Sequence, residues 1–188
     1  MHEAKTASSL DHPNIGVIYE FDEIPGEPGN NQMFIVMAYY DGETLTDRLE
    51  HGSLPIEKTI DITTQMINGL SKAHEAGITH RDIKPANIIV TKHGEVKIID
   101  FGLAQRSDTP KITKDGETPG TIAYMSPEQL MGESMDSRTD IWSLGVVLYE
   151  MLTGYLPFKG EYEHAVVYSI LNVDPEPMTG LRTDVQKN

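Results

Sequence analysis

The most constraining feature of the sequence is one short stretch, HRDIKPAN at residues 80–87. Within it, Asp82 is a carboxylate that can orient an alcohol and accept its proton, and Lys84 is a point charge that can reach an anionic oxygen. Asn87 and, after the next apolar run, Asp100 offer the neutral and anionic oxygens that Mg²⁺ prefers as ligands. Such a set of groups can position a nucleotide phosphate and neutralise its charge, which is most of what phosphoryl transfer requires.

The spacing of these groups resembles that of the eukaryotic-type (Hanks-type) Ser/Thr protein kinases. Their H-R-D-x-x-x-x-N pattern is filled at residues 80–87, and their D-F-G stands at residues 100–102. Their A-P-E appears as Ser-Pro-Glu at residues 126–128, with Ser in place of Ala. Each residue taken alone also fits a plain turn or helix start, but three motifs in the family's order are far more specific than one.

The resemblance implies a Ser/Thr protein kinase that transfers the γ-phosphoryl group of ATP to a protein hydroxyl. In that reaction Asp82 would orient and deprotonate the acceptor, and Lys84 would steady the γ-phosphoryl group. Asn87 and Asp100 would hold Mg²⁺. The implied cofactors are therefore ATP and Mg²⁺, and the implied partner is a protein with a Ser or Thr acceptor.

The resemblance also implies where the nucleotide binds. Glu3 would pair with a strand lysine that holds the α- and β-phosphates, and without that context it is a solvated helix residue. Met37 maps to the gatekeeper position, and on its own it would be an ordinary core residue. Ala38 and Tyr40 map to the hinge, where backbone groups hydrogen-bond adenine, and Ala38 stands where the family often has Glu. Ile89 completes the expected nucleotide contacts.

The implied architecture is an α+β fold with the two lobes of a protein kinase. The predicted strands are 15–21, 33–38, 88–90 and 96–99, paired as two hairpins, and the predicted helices are 3–10, 55–76, 136–154 and 162–171. Residues 1–38 would be part of the small β lobe, and residues 39–188 would be most of the helical large lobe. Relative to the family pattern, the glycine-rich loop, the strand with the ATP lysine and the last helices are not among these residues.

The two long predicted helices differ in pattern. In the first, one apolar stripe recurs every three or four positions at Ile56, Ile60, Thr63, Ile67, Leu70 and His74. The second, at residues 136–154, is apolar on nearly every face, which indicates burial. Its Asp140 either anchors the backbone of the catalytic loop, as the resemblance implies, or completes a capping box with Ser137. His80 and Phe101 are expected to be packing residues, and a general-base role for His80 is the sharper alternative.

Composition narrows the partners and the compartment. The net charge is −14, so there is no basic stripe to displace counterions from a nucleic acid, and we expect no nucleic-acid partner. The sequence has no cysteine, which excludes disulfides and thiolate metal ligands and suits a cytoplasmic protein. The most apolar run is too short to cross a bilayer, so we expect no membrane contact within this chain.

The polar segment between the D-F-G and Ser-Pro-Glu motifs has the place of an activation loop. Near its end, Thr121 resembles the residue of the substrate-docking turn that meets the catalytic Asp and Lys84. Lys84 and Thr121 together favour Ser or Thr over Tyr as acceptor, because the tyrosine branch carries different residues at the lysine's place. Arg81 suggests control by charge on this segment, to which Glu117 and phosphorylated Thr118 would contribute. A solvated Glu117 is the plainer alternative.

A non-catalytic kinase-like binding module is a second hypothesis, from another class. The intact catalytic loop argues against it, whereas the missing glycine-rich loop and ATP lysine argue for it. Without those two elements the 188 residues by themselves are expected to transfer phosphate poorly, because the phosphates lose their clamp and their cover. If a glycine-rich loop and a strand with the ATP lysine are encoded upstream of Met1, the enzyme hypothesis is favoured over the binding module.

Glu117→Ala and Thr118→Ala are each predicted to lower phosphoryl transfer, because the first removes a negative charge and the second removes the hydroxyl whose phosphate would add one for Arg81 to bind. The measurement compares the kinase activity of each variant with that of the parent protein. Unchanged activity in both variants would contradict the idea that Arg81 responds to charge on this segment.

Overall fold

The residues that the computed structural model describes are 10–24, 32–101 and 119–181. Three predicted site residues, Glu3, Glu117 and Thr118, lie outside them, as does nearly all of the helix predicted at 3–10. Their predicted roles therefore stay predictions.

The described residues form five strands, seven helices and one 3₁₀ turn. The strands are β1 Ile18–Ile24, β2 Gln32–Met37, β3 Gly42–Thr44, β4 Ile88–Thr91 and β5 Val96–Ile98. The helices are α1 Leu45–Leu49, α2 Ile56–Glu75, α3 Pro119–Ile122, α4 Pro127–Met131, α5 Ser137–Thr153, α6 Glu163–Asn172 and α7 Met178–Leu181, and the 3₁₀ turn is Pro85–Asn87.

The strands form two antiparallel sheets. β1 pairs with β2, and the second sheet has the order β3-β4-β5. Both predicted hairpins are confirmed, whereas β3 was not predicted, because a three-residue Gly-Glu-Thr strand carries no apolar alternation. Glycine is required at its first position, since a Cβ on Gly42 would overlap the carbonyl oxygen of Val90 on β4.

The chain ahead of β1 lies along β5 instead of joining the first hairpin. Ile15 forms an isolated parallel bridge with Ile98, and the Gly16 N–H donates to the Ile98 carbonyl oxygen at 2.7 Å. The Ile98 N–H in turn donates to the Asn14 carbonyl oxygen at 2.9 Å. β1 therefore begins three residues later than predicted, because Ile15 and Gly16 are paired with β5.

The helix α2 buries a different face from the predicted one. Its buried residues are Thr59, Ile62, Met66, Gly69, Leu70 and Ala73. Of the predicted stripe Leu70 is buried, but Ile60 is 60% exposed and Ile67 is 46% exposed. The helix packs against α5 and β5. Gly69 permits this approach, because a Cβ there would lie 3.0 Å from Ile98 Cδ1.

Two helices begin at or within one residue of the positions that their proline residues indicate. Ser126 is the N-cap of α4, with Pro127 in the first turn, as predicted. At α2, Pro55 precedes the first helical residue instead of occupying the first turn. Proline suits both places because its φ is already helical and it has no N–H to satisfy.

The helix α5 confirms most of its predicted burial and corrects its predicted cap. The Asp136 carboxylate accepts a hydrogen bond from the N–H two residues on, so Asp136 is the N-cap. The alternative role of Asp140, a capping box with Ser137, is not observed, because the N-cap is Asp136. The prediction that α5 is buried on nearly every face is also wrong on one side, where Ile141 is 59% exposed. On that side a Cβ on Gly145 would meet no described atom within 4 Å.

Two hydrophobic clusters hold these elements together. The larger joins Ile15, the buried face of α2, the β4–β5 hairpin and α5. The smaller contains Ile122, Leu130, Val146, Phe158 and Ile170. Among the described helices, none has both the length and the apolar character needed to span a lipid bilayer.

Met66→Ala is predicted to lower the free energy of unfolding by about 2–5 kcal/mol, because it opens a cavity in the core at a fully buried position. Ile67→Ala on the neighbouring face is the matched control and should cost no more than about 1 kcal/mol. Urea unfolding of both variants measures the difference. Equal losses, or a larger loss for Ile67→Ala, would contradict the observed placement of the buried face.

Candidate active site

The catalytic loop brings together the two residues that were predicted to do the chemistry. It lies between α2 and β4, two elements anchored in the larger hydrophobic cluster. Lys84 Nζ lies 2.8 Å from Asp82 Oδ2 and 3.5 Å from Thr121 Oγ1. Lys84 therefore contacts both Asp82 and Thr121, and these contacts join the loop to the start of the segment that leads into α4.

Asn87 orients the Asp82 carboxylate. Its amide nitrogen donates to the Asp82 carbonyl oxygen at 2.7 Å and to Asp82 Oδ2 at 2.9 Å. Both bonds use the nitrogen of a buried amide, so the amide oxygen remains as a neutral oxygen ligand. The same side chain that holds Asp82 thus keeps an oxygen that could bind a cation.

Asp100 follows β5 in a strained backbone conformation. Its φ is 66°, in the left-handed region that non-glycine residues rarely adopt. Burial raises the pKa of Asp100, and the nearby Asp82 carboxylate raises it further, while Lys84 acts in the opposite direction. A carboxylate whose charge is poorly solvated gains from a bound cation, so the position favours a metal ligand.

His80 links the backbone of Asp82 to the backbone just ahead of Asp100. It is 1% exposed, and burial lowers its pKa, so the imidazole is neutral. Nε2 donates to the Ile99 carbonyl oxygen at 2.9 Å, and Nδ1 accepts from the Asp82 N–H at 3.2 Å. The ring also packs edge-on against Phe101 at 4.5 Å between centroids. Both ring nitrogens are occupied, which confirms the packing role and leaves none for a general base.

Asp140 anchors the loop, as the resemblance implied. Its side chain lies fully buried in the first turn of α5. It accepts hydrogen bonds from the His80 N–H at 2.8 Å, the Arg81 N–H at 2.7 Å and His74 Nε2 at 2.7 Å. Three donors compensate the burial of one carboxylate, and they tie α2, α5 and the loop to one point.

Arg81 is the second residue of the site with a strained backbone conformation, and one nitrogen of its guanidinium group is buried. Its φ is 68°, and its Nε is buried without a partner among the described residues. Its carbonyl oxygen accepts a hydrogen bond of 2.8 Å from Gln129 Nε2 on α4. The sequence analysis did not identify Gln129. The spacing of Ser126 and Gln129 is that of a capping box, which would have predicted only the bond between those two residues.

The segment that follows Thr121 is fastened to α5. The Tyr124 hydroxyl donates to Glu150 Oε2 at 2.7 Å, and burial raises the pKa of both groups. Thr139 Oγ1 donates to Glu128 Oε1 at 2.7 Å. These bonds, which the sequence analysis did not predict, attach the segment to the helix whose Asp140 also holds the loop at residues 80–87.

Three of the residues predicted to contact the nucleotide, Met37, Ala38 and Tyr40, lie where β2 leads into β3. Met37 ends β2, and the Ala38 N–H donates to the Val17 carbonyl oxygen at 2.9 Å. Lys97 Nζ lies 5.3 Å from the centre of the Tyr40 ring, and Ile89 lies on β4 as the cross-strand partner of Lys97. Glu3, the remaining predicted contact, lies outside the described residues.

The donor set fits Mg²⁺ better than a transition metal. In the part of the chain that the structure describes, no three His, Cys, Asp or Glu residues cluster as a complete site. Mg²⁺ does not need such a cluster, because it is commonly bound by one or two carboxylates together with substrate phosphates and water. The Asn87 amide oxygen and the Asp100 carboxylate fit that pattern.

Known proteins are similar in sequence to this chain over almost its whole length. It matches the family model for the protein kinase domain over residues 1–182. It is 40% identical over 178 residues to serine/threonine-protein kinase PknA of Corynebacterium glutamicum, covering 94% of this chain and 38% of that protein. It is 42% identical over 187 residues to serine/threonine-protein kinase PknB of Mycolicibacterium smegmatis, covering 97% and 30%. It is 41% identical over 177 residues to PknB of Mycobacterium leprae, covering 93% and 28%.

The chain spans only about a third of the length of these relatives. Within that length, the family match includes the catalytic loop, Asp100 and the Ser-Pro-Glu motif whose geometry is described above. The chain therefore belongs to the protein kinase domain family.

Proposed function

We propose that this chain carries the phosphoryl-transfer site of a Ser/Thr protein kinase, with ATP as donor and a protein hydroxyl as acceptor. The observation that carries the proposal is the contact of Lys84 with both Asp82 and Thr121, together with the Asn87 amide bonded to Asp82 and the Asp100 carboxylate, on which Asp82 and Lys84 act electrostatically. This arrangement supplies what phosphoryl transfer needs, which is positioning of the acceptor and compensation of phosphate charge.

Asp82 is the residue that handles the acceptor. Asn87 and the bonds of its own backbone hold its carboxylate in one orientation, so that it can accept the proton of an incoming hydroxyl. Lys84 lies between Asp82 and Thr121, and it places a positive charge where the transferred group gains negative charge. The Thr121 hydroxyl lines the same place and supports Ser or Thr as the acceptor.

Asn87 and Asp100 would hold Mg²⁺. When bound, the metal neutralises phosphate charge and orients the donor. The chain's own contribution is to keep two different oxygens in place, one on a buried amide and one on a carboxylate whose pKa burial has raised. Met37, Ala38, Tyr40 and Ile89 would contact the adenosine part of the donor.

The charge and the composition of the chain support a protein partner and a cytoplasmic location. With a net charge of −14, the chain suits a protein substrate better than a nucleic acid. The cysteine-free sequence suits the reducing cytoplasm, where ATP is available. A non-catalytic binding module is the weaker candidate, because it would have no use for an oriented carboxylate, a paired lysine and two cation ligands at one place.

Asp82→Asn is predicted to lower kcat by about 10²–10⁴-fold while leaving Mg²⁺-ATP binding largely intact, because the proton acceptor is lost and the shape is kept. The measurement is transfer of labelled phosphate from Mg²⁺-ATP to a basic Ser/Thr peptide by the complete gene product. Asp11→Asn, at an exposed position, is the matched control and should retain the parent rate. A variant that keeps most of the parent kcat would contradict the role of Asp82.

Asp100→Ala is predicted to abolish the stabilisation that Mg²⁺ adds to nucleotide binding. For the parent protein at about 100 times Kd, binding contributes about 2.7 kcal/mol, which raises the melting temperature by several degrees. The melting temperature is measured with ATP plus Mg²⁺ and with ATP plus EDTA. The difference between the two conditions should vanish in Asp100→Ala and persist in Asp11→Ala; persistence in both would contradict metal binding by Asp100.

A further inference from the structure

Gln129 makes two side-chain hydrogen bonds in opposite directions. It lies in α4, where it is 9% exposed. Its Oε1 accepts from the Ser126 N–H at 2.9 Å, as in a capping box. Its Nε2 donates to the carbonyl oxygen of Arg81 at 2.8 Å, across to the catalytic loop. The second bond has no part in starting the helix.

The carbonyl that Gln129 holds belongs to the peptide group joining Arg81 to Asp82. The N–H of the same peptide group donates to His80 Nδ1 at 3.2 Å. Gln129 and His80 therefore hold the two ends of one peptide plane. The preceding peptide group is held separately, because the Arg81 N–H donates to Asp140 Oδ1 at 2.7 Å.

This peptide plane is held in a conformation that the backbone disfavours. The φ of Arg81 is 68°, and such a conformation persists only where surrounding bonds over-determine it. Rotation about the N–Cα bond of Arg81 would release the strain, and it would turn this peptide plane and move the Cα of Asp82. If Gln129 could no longer donate to it, the Arg81 carbonyl oxygen would lose its hydrogen bond from α4.

We infer that Gln129 is a positioning residue that acts through the Arg81–Asp82 peptide to set the direction of the Asp82 carboxylate. The inference rests on the proposed kinase function. Gln129 follows Thr121 on the same segment, and Thr121 contacts Lys84. The segment that would meet the acceptor is thus bonded to the Arg81 carbonyl oxygen, in the peptide group that leads into the residue that would take the proton.

Two substitutions and one control separate this role from helix capping. Gln129→Glu keeps an oxygen for the Ser126 N–H but places a second oxygen, instead of a donor, opposite the Arg81 carbonyl. Gln129→Met keeps the length of the side chain and removes both bonds, and it serves as the second variant should the glutamate disturb folding. Ser126→Ala is the control, because it removes the hydroxyl of the cap and leaves the Gln129 amide in place.

The experiment measures kcat and KM for Mg²⁺-ATP and for a basic Ser/Thr peptide, using the complete gene product. The number of nucleotide sites per chain is determined by titration, so that rates refer to folded protein. Both Gln129 variants are expected to lose about 10- to 100-fold in kcat with KM nearly unchanged, since small misplacements of catalytic groups have effects of that size. Ser126→Ala is expected to stay near the parent value.

A double-mutant comparison tests whether Gln129 acts through Asp82. In an Asp82→Asn background, Gln129→Met should cause no further loss, because the group that it positions has been removed. The inference is overturned if both Gln129 variants keep the parent kcat, if their loss matches a loss of nucleotide sites, if Ser126→Ala loses as much, or if the losses add. A parent protein without any transfer would instead refute the proposed function, and that result is visible before any variant is made.

Discussion

The site depends first on one buried carboxylate. Asp140 lies in the first turn of α5 with no exposure, and it accepts hydrogen bonds from the backbone of His80 and Arg81 and from His74 on α2. A buried charge without such donors would be very unfavourable, so α2, α5 and the loop must stay in the arrangement that supplies them. Removing any one of these elements would leave the carboxylate partly uncompensated. The loop is therefore held by the same interaction that joins the two longest helices.

From that anchor, short bonds pass the constraint on to the functional groups. His80 links the Asp82 N–H to the carbonyl oxygen of Ile99, the residue before Asp100. Asn87 then fixes the Asp82 carboxylate itself. Among the described non-glycine residues only Arg81 and Asp100 have positive φ, and both lie in this network. Strain at these two places is tolerated because several bonds on each side would be lost if the backbone relaxed.

The electrostatics of the site follow from the same packing. The Asp82 carboxylate acts electrostatically on Asp100, and Lys84 forms an ion pair with Asp82 at 2.8 Å. The pKa of Asp100 is raised because burial and the second carboxylate both disfavour its charge. Such a place has an excess of negative charge over positive charge. A divalent cation with its phosphate ligands would balance it, which agrees with the proposed transfer from Mg²⁺-ATP.

Local chemistry in the sequence determined the catalytic motif, the two hairpins and the cap of α4 by Ser126, because each depends on residues close together in the chain. The tertiary structure alone decided which face of α2 is buried, since a three-four repeat defines a period but not the direction in which a partner lies. It also decided the pairing of β3 with β4, where Gly42 permits a close backbone approach. The bond from Gln129 to Arg81 joins residues 48 positions apart, and no local pattern encodes such a distance. Packing of separate elements, which depends on all of them at once, set these features.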